Sequence, residues 1–399
     1  MKCMLEDLDR LMGQHGLEAI VVHGESTFHN PEFYFVTRAH LARGGVYLKK
    51  RGESPILIVN GVDLGSARRG VVERVYTYGE RGFDKIMSSH GVDGLPIVFS
   101  KLLRGEGVSG RIGFYGMVEA NLNMYIVDKL RKMGYAVDSA YSPVLKEAMA
   151  TKSEREVEAL TRVGRRCEEV VEHLYSLLQR CTVTRGKVMF QGNPVTVGLL
   201  KTSVNSFFAE KGLVPDEGYI LSTGVKSSDP HYTGGEEDLI KAGKPILLDV
   251  YPRGPGNLYF DVTRTFVVGK ASRRVKDMYN AVVEAFKASM DIIREDLEAA
   301  EAMNTACDVF ERRGYRTLRS HPNPENGFIH SLGHGVGWSL SDKPTLSLFS
   351  RDRLRTGNVV TVEPGLYDRK VGGVRLEDVI AVRGKGILKL SGLDVPFEV

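Results

Sequence analysis

Asp261-Val262-Thr263-Arg264-Thr265-Phe266-Val267-Val268 decides how the second half of this 399-residue chain is read. The segment is rich in β-branched residues, and its polar Asp261, Thr263 and Thr265 recur at every second position, the period of a β-strand. Asp261, Thr263 and Thr265 therefore share one face. Three more acids sit in equally apolar surroundings. Asp249 follows Pro245-Ile246-Leu247-Leu248, Glu363 ends Asn358-Val359-Val360-Thr361-Val362-Glu363, and Glu377 lies in Gly373-Val374-Arg375-Leu376-Glu377-Asp378-Val379. A carboxylate on or beside such a strand needs a partner, because an unpaired charge is costly to bury.

His334, set between Gly333 and Gly335, completes a candidate cage with these four acids. Together the five carry a charge of about −4, which matches two divalent cations. Thr361 shares a strand face with Glu363, as Arg375 does with Glu377, so Arg375 can orient or neutralise a neighbouring carboxylate. Pro364-Gly365 ends one of these strands, and Gly372-Gly373 permits close backbone approach before Glu377.

Outward from this cage, the chain reads as two domains. Residues 1–147 look like an α/β unit: an amphipathic helix from Glu6 to Gln14, then the strand candidates Ala19-Ile20-Val21-Val22, Gly45-Val46-Tyr47-Leu48, Ile56-Leu57-Ile58-Val59 and Ile97-Val98-Phe99, with a helical stretch from Glu119 to Met133. Ser153 caps the next helix, which repeats apolar residues at helical spacing from Val157 to Leu178. Residues 148–399 read as an α+β domain: strands bearing Asp249 and Asp261, helices near Arg274 to Ile293 and Leu297 to Arg313, then strands again.

Composition narrows the function classes. An apolar content of 42% and a charged content of 26% describe a globular protein, and 54 basic against 50 acidic residues give no footprint for nucleic acid. No apolar run approaches the roughly 18 residues that a membrane span needs. Glu6, Asp7 and Asp9 stand where a signal peptide would be apolar. Cys3, Cys167, Cys181 and Cys307 form no closely spaced pair, so reduced thiols in the cytoplasm are expected.

Five segments, in this order, resemble the pita-bread metallopeptidases: Leu248-Asp249, Asp261-Val262-Thr263-Arg264-Thr265-Phe266, His330-Ser331-Leu332-Gly333-His334-Gly335-Val336-Gly337, Val362-Glu363-Pro364-Gly365 and Gly373-Val374-Arg375-Leu376-Glu377-Asp378. That family includes prolidase, aminopeptidase P and methionine aminopeptidase, with creatinase as a relative lacking the metals. The likeness covers roughly residues 150–390. The first 147 residues look like the creatinase/prolidase-type N-terminal domain, which favours the prolidase and aminopeptidase P branch.

The resemblance implies two divalent ions (manganese, cobalt, iron or zinc). Asp261 and Glu377 would bridge them, Asp249 would bind one, and His334 with Glu363 would bind the other. It further implies an X-Pro dipeptidase or aminopeptidase acting on small peptides through a water shared by the metals, with Glu363 moving its proton. His231, in Ser228-Asp229-Pro230-His231-Tyr232, and His330 would hydrogen-bond the substrate or the oxyanion. A homodimer is the family expectation, with Arg38 and His40 placed to reach a partner's site.

The segment Trp338-Ser339-Leu340-Ser341-Asp342 departs from the pattern, because the peptidases place a histidine where Ser341 stands. That opens a second reading, a metal-dependent hydrolase of a small non-peptide C–N bond. Tyr251 stands where a glycine is usual. A third reading is a non-catalytic binding protein on the same fold. Its usual mark is loss of ligand residues, and none is lost here. Against the functional roles stand plainer ones: Thr263 suits any strand, Arg264 any surface, Arg375 a salt bridge, Trp338 packing or a pocket wall, and Arg38 with His40 an ordinary polar loop.

Overall fold

Three apolar runs of the first half lie side by side as β-strands: β1 (Ala19–Gly24), β2 (Gly45–Lys50) and β3 (Ile56–Val59), each buried almost throughout. The computed structural model that shows this describes residues 2–399, with side chains from residue 7 onward, so the Cys3 and Glu6 side chains lie outside the described residues. β4 (Arg74–Thr77) pairs parallel with β3, and β5 (Ile112–Tyr115) pairs parallel with β1, giving the sheet order β4-β3-β2-β1-β5. A helix, α1 (Lys2–Gln14), precedes the sheet, and α2 (Pro31–Thr37) follows β1.

The strand expected at Ile97-Val98-Phe99 is instead part of a helix, α3 (Gly94–Gly105). A three-residue apolar run cannot distinguish the two states. Here Val98, Phe99, Leu102 and Leu103 recur at helical spacing and all are buried against the sheet's core, while Pro96 sits in the first turn, where a helix tolerates it. A further helix, α4 (Ala120–Lys132), packs beside it.

By its contacts the chain divides into the units Met1–Met149 and Ala150–Val399. The second unit opens with α5 (Glu154–Gln179). Ser153 caps it with a reciprocal pair of bonds: its Oγ accepts from Glu156 N–H, and the Glu156 carboxylate accepts from Ser153 N–H at 2.8 Å. After α6 (Val197–Glu210), three antiparallel strands form one sheet: β6 (Ile220–Thr223), β7 (Ile246–Val250) and β8 (Val262–Phe266), with β7 central. Two helices, α7 (Arg273–Ile292) and α8 (Ala299–Arg312), pack on each other and share a core with the strands that follow.

Those strands are β9 (Gly333–Gly335), β10 (Asp342–Leu346), β11 (Val359–Val362), β12 (Gly365–Asp368), β13 (Gly372–Arg375), β14 (Asp378–Arg383) and β15 (Gly386–Lys389). One sheet runs β10-β9-β11-β14-β15, while β12 and β13 form a separate hairpin. Among the described residues no helix is long and apolar enough to cross a membrane.

Candidate metal centre

Strand register assembles the first half of the site. Asp249 of β7 lies directly opposite Thr263 of β8, and Thr263 in turn bridges to Glu377. The three positions form a row, and Asp261, two residues before Thr263, faces the same way. Thr263 Oγ1 donates to Glu377 Oε2 at 2.6 Å and accepts from Arg375 Nε at 3.2 Å.

Glu377 sits between β13 and β14, where its backbone needs outside support. Arg264 supplies it, donating from Nη1 to the carbonyls of Glu377 (2.7 Å) and Thr263 (2.9 Å), and from Nη2 to Asp378 Oδ1 (2.8 Å). The surface reading of Arg264 is thereby corrected: it is buried and ion-paired. Alternation puts it on the face of β8 opposite Thr263, and the segment at Leu393, whose carbonyl it also binds, covers that face.

The second half comes from β9 and β11. Thr361 Oγ1 accepts from His334 N–H at 3.1 Å and donates to Glu363 Oε1 at 3.3 Å, so one hydroxyl sets both residues. His334 Nδ1 lies 3.2 Å from the Gly335 carbonyl, and a proton held there would leave the Nε2 lone pair for a cation. Nε2 is 3.3 Å from Glu363 Oε1 and 3.7 Å from Asp261 Oδ2. Ligand atoms of Asp261, His334 and Glu377 all lie within 4.8 Å of one another.

The electrostatics point to missing positive charge. Asp249 Oδ1, Asp261 Oδ1 and Glu377 Oε1 are buried with no hydrogen-bond partner among the described residues. Burial first, then the neighbouring carboxylates, hold Asp261 and Glu377 well above the ordinary carboxylate range. Glu363 is pushed up to about 8, by burial and then by Asp249, against the opposing pull of Arg375 and Thr361. Orphaned carboxylate oxygens this close together suit divalent cations, so the donor set fits the group that the residues suggest.

Arg375 ties the cage to a flank that sequence reasoning missed. Its Nη2 pairs with Asp249 Oδ2, and its Nη1 donates to the Tyr367 hydroxyl at 2.7 Å. That hydroxyl, holding one proton, then donates to His330 Nε2 at 2.9 Å, and His330 Nδ1–H donates to the Ser331 carbonyl at 2.7 Å. Both ring nitrogens of His330 thus have partners inside the protein, and the ring lies beside Glu363. Burial, then Arg375, pushes its pKa down to about 3, so it stays neutral. Nothing in the sequence singles out Tyr367 except its place in a strand shortly after Pro364-Gly365.

The remaining candidates are dispersed. His231 is exposed on a loop. Tyr251 is half-buried, and burial, then Asp249 and Asp261, pushes its hydroxyl up to about 12. Ser341 is exposed and Trp338 buried, and the Trp338 backbone N–H donates to Asp342 Oδ2 at 2.9 Å. Within the first unit, Arg38 ends α2 in the left-handed conformation with its guanidinium over the Phe35 ring, and His40 packs on Phe28 and Tyr34.

Comparison with known proteins places this site in context. The profile of metallopeptidase family M24 matches residues 128–384. An Xaa-Pro dipeptidase of Pyrococcus horikoshii is 26% identical over 385 residues, covering 95% of this chain and 94% of the relative. The Xaa-Pro dipeptidase of Pyrococcus furiosus is 26% identical over 395 residues, covering 98% of each. The solved Xaa-Pro dipeptidase from Bacillus anthracis superimposes with a TM-score of 0.77 at 23% identity, covering 99% of both chains.

Proposed function

The chain belongs to metallopeptidase family M24, and on that premise we propose that it is a metal-dependent exopeptidase that hydrolyses X-Pro bonds in small peptides. Its second unit has the pita-bread fold of that family. The observation that carries the reading is the set of three orphaned, buried carboxylate oxygens, two of them on Asp261 and Glu377, whose ligand atoms lie within 4.8 Å of those of His334. The X-Pro preference is supported by the two Pyrococcus dipeptidases, which resemble this chain over nearly its whole length.

Asp249, Asp261, His334, Glu363 and Glu377 would hold two divalent ions. The oxygen-rich donor set favours manganese, cobalt or iron, with zinc a further candidate. Bound there, such ions supply Lewis-acid polarisation of a carbonyl and acidify a water. The other steps belong to the protein. Glu363, half-buried at the edge of the cage, takes a proton from the attacking water and delivers it to the leaving nitrogen. Arg375 holds Asp249 in place, and through Tyr367 it fixes the neutral tautomer of His330 beside Glu363. His231, exposed on its loop, is free to hydrogen-bond the substrate.

The first unit is proposed as the creatinase/prolidase-type domain, and the chain as a homodimer in which Arg38 and His40 meet the partner's site. The unpaired thiols Cys167, Cys181 and Cys307 support a reducing, cytoplasmic setting. A panel of X-Pro dipeptides, longer X-Pro peptides and Met-initiated peptides tests the function after chelation and after adding back manganese, cobalt or zinc. Metal-restored X-Pro cleavage is expected, and preference for two-residue substrates would make it a dipeptidase. Ser341, an exposed serine in place of a histidine, favours one alternative. Turnover of small non-peptide amides with every peptide left intact would establish that alternative.

A further inference from the structure

We infer that Asp238, acting with Tyr232 and Lys226, is a positioning residue that locks the loop presenting His231. The inference rests on the proposed peptidase reading only for the use to which His231 is put. The loop has two anchors to neighbouring strands. On one side Ser227 is fully buried, and its Oγ accepts from the N–H of Gly373 in β13 at 2.9 Å. On the other side Leu221 N–H of β6 donates to the Thr233 carbonyl at 3.2 Å. Gly234, at φ +92°, lies so close to β6 that a Cβ would meet the Leu221 carbonyl oxygen at 1.9 Å.

Residues 228–232 span the gap between the anchors, with His231 exposed near its end. Within the span, His231 N–H donates to Asp229 Oδ1 at 3.1 Å and Tyr232 N–H to the Asp229 carbonyl at 3.1 Å. Those bonds shape the turn without fixing it to the rest of the unit. The Tyr232 hydroxyl does so, donating to Asp238 Oδ2 at 2.8 Å.

Asp238 gathers the tethers from both sides of His231. Lys226 Nζ donates to Oδ1 at 2.5 Å, and Gly235 N–H donates to Oδ2 at 3.1 Å and to the Tyr232 hydroxyl at 3.0 Å. Burial raises the Asp238 pKa, but the bonds from Lys226, Tyr232 and Gly235 outweigh it and keep the group an anion. One carboxylate therefore closes a ring through residues 226, 232 and 235, and a charged acceptor makes each bond stronger than a neutral one would be. Freeing the ring leaves the His231 imidazole on a five-residue span that samples many orientations.

The test uses the full-length, metal-loaded protein with Tyr232→Phe and Asp238→Asn, after thermal melting has shown that each variant folds. Amide hydrogen exchange across residues 229–235 should speed up about tenfold in both variants, the size expected for losing a charge-assisted bond. Unchanged exchange overturns the inference. Hydrolysis of an X-Pro dipeptide should lose about tenfold in kcat/KM in Tyr232→Phe, and that loss should vanish in a His231→Ala background. An equal loss in both backgrounds overturns the route through His231. Absence of X-Pro turnover by the unmodified protein would remove the peptidase reading, while the exchange measurement would still decide whether the clamp exists.

Discussion

Lys49 in the first unit and the acid cage in the second bury charge in opposite ways. In the first, Lys49 is almost wholly enclosed, and each of its three protons has an acceptor: Asp9 Oδ1 at 2.6 Å and the carbonyls of Lys50 and Glu53 at 3.2 Å and 2.9 Å. In the second, Asp249, Asp261 and Glu377 are buried too, yet each leaves one oxygen without a partner among the described residues. A satisfied buried charge serves the fold, because its desolvation is offset within the chain. An unsatisfied cluster of one sign can be offset only by something from outside. That difference marks the second unit as the chemical one.

Substitution at the cage edge should have the largest effect. Glu363→Ala is expected to lower kcat by roughly 10²–10⁴-fold while the circular dichroism spectrum stays native. Undiminished turnover would remove Glu363 from proton transfer. Lys49→Ala should do the reverse, leaving metal-dependent turnover per folded molecule intact while costing about 3 kcal/mol in urea-melt stability.

Asp261→Asn sharpens the contrast further. Removing one of several mutually repelling carboxylates should raise the melting temperature of the chelated protein, and it should abolish the further rise that added manganese gives the unmodified protein. A chelated variant that melts lower than its parent would mean the carboxylates are not in electrostatic conflict.

Without metal, the two units should also respond oppositely to pH. The folded-state pKa of Glu363 is raised to about 8, so its contribution is present below the ordinary glutamate range and is lost as pH rises through about 8. His23, buried between Phe99 and Phe114, has its pKa lowered by burial, with the bond to Asn123 opposing. Its contribution is present above the unfolded value of roughly 6.5 and is lost as pH falls below it. Hydrogen exchange resolved by unit, in chelator between pH 5.5 and 8, should show the second unit loosening as pH rises and the first as pH falls. The smallest effect belongs to Ser153→Ala, about 1 kcal/mol of α5 stability measured by urea melts, with the site untouched.

Much of this was legible in residue order. Ser153 announces α5, the recurrence of Asp261, Thr263 and Thr265 at every second position announces β8, and the helices near Arg274 and Leu297 lie within two residues of where periodicity put them. Ile97-Val98-Phe99 was misread because three apolar residues carry no period. Arg264 was misread because a single sequence does not show which face of a strand another segment will cover. His330 illustrates the same limit at the site: its segment marks it as chemical, but only the fold brings the Tyr367 hydroxyl to its Nε2.

The sequence by itself determined which side chains are acids in apolar strands, in what order they come, and that their charge calls for cations. Tertiary structure alone decided which oxygens are left without donors, which carbonyl lies beside His334 Nδ1, and which tethers meet at Asp238. The reason is physical: the period of a strand is local and survives in one dimension, whereas a hydrogen-bond partner is fixed by register and packing between segments as far apart as Asp249 and Arg375.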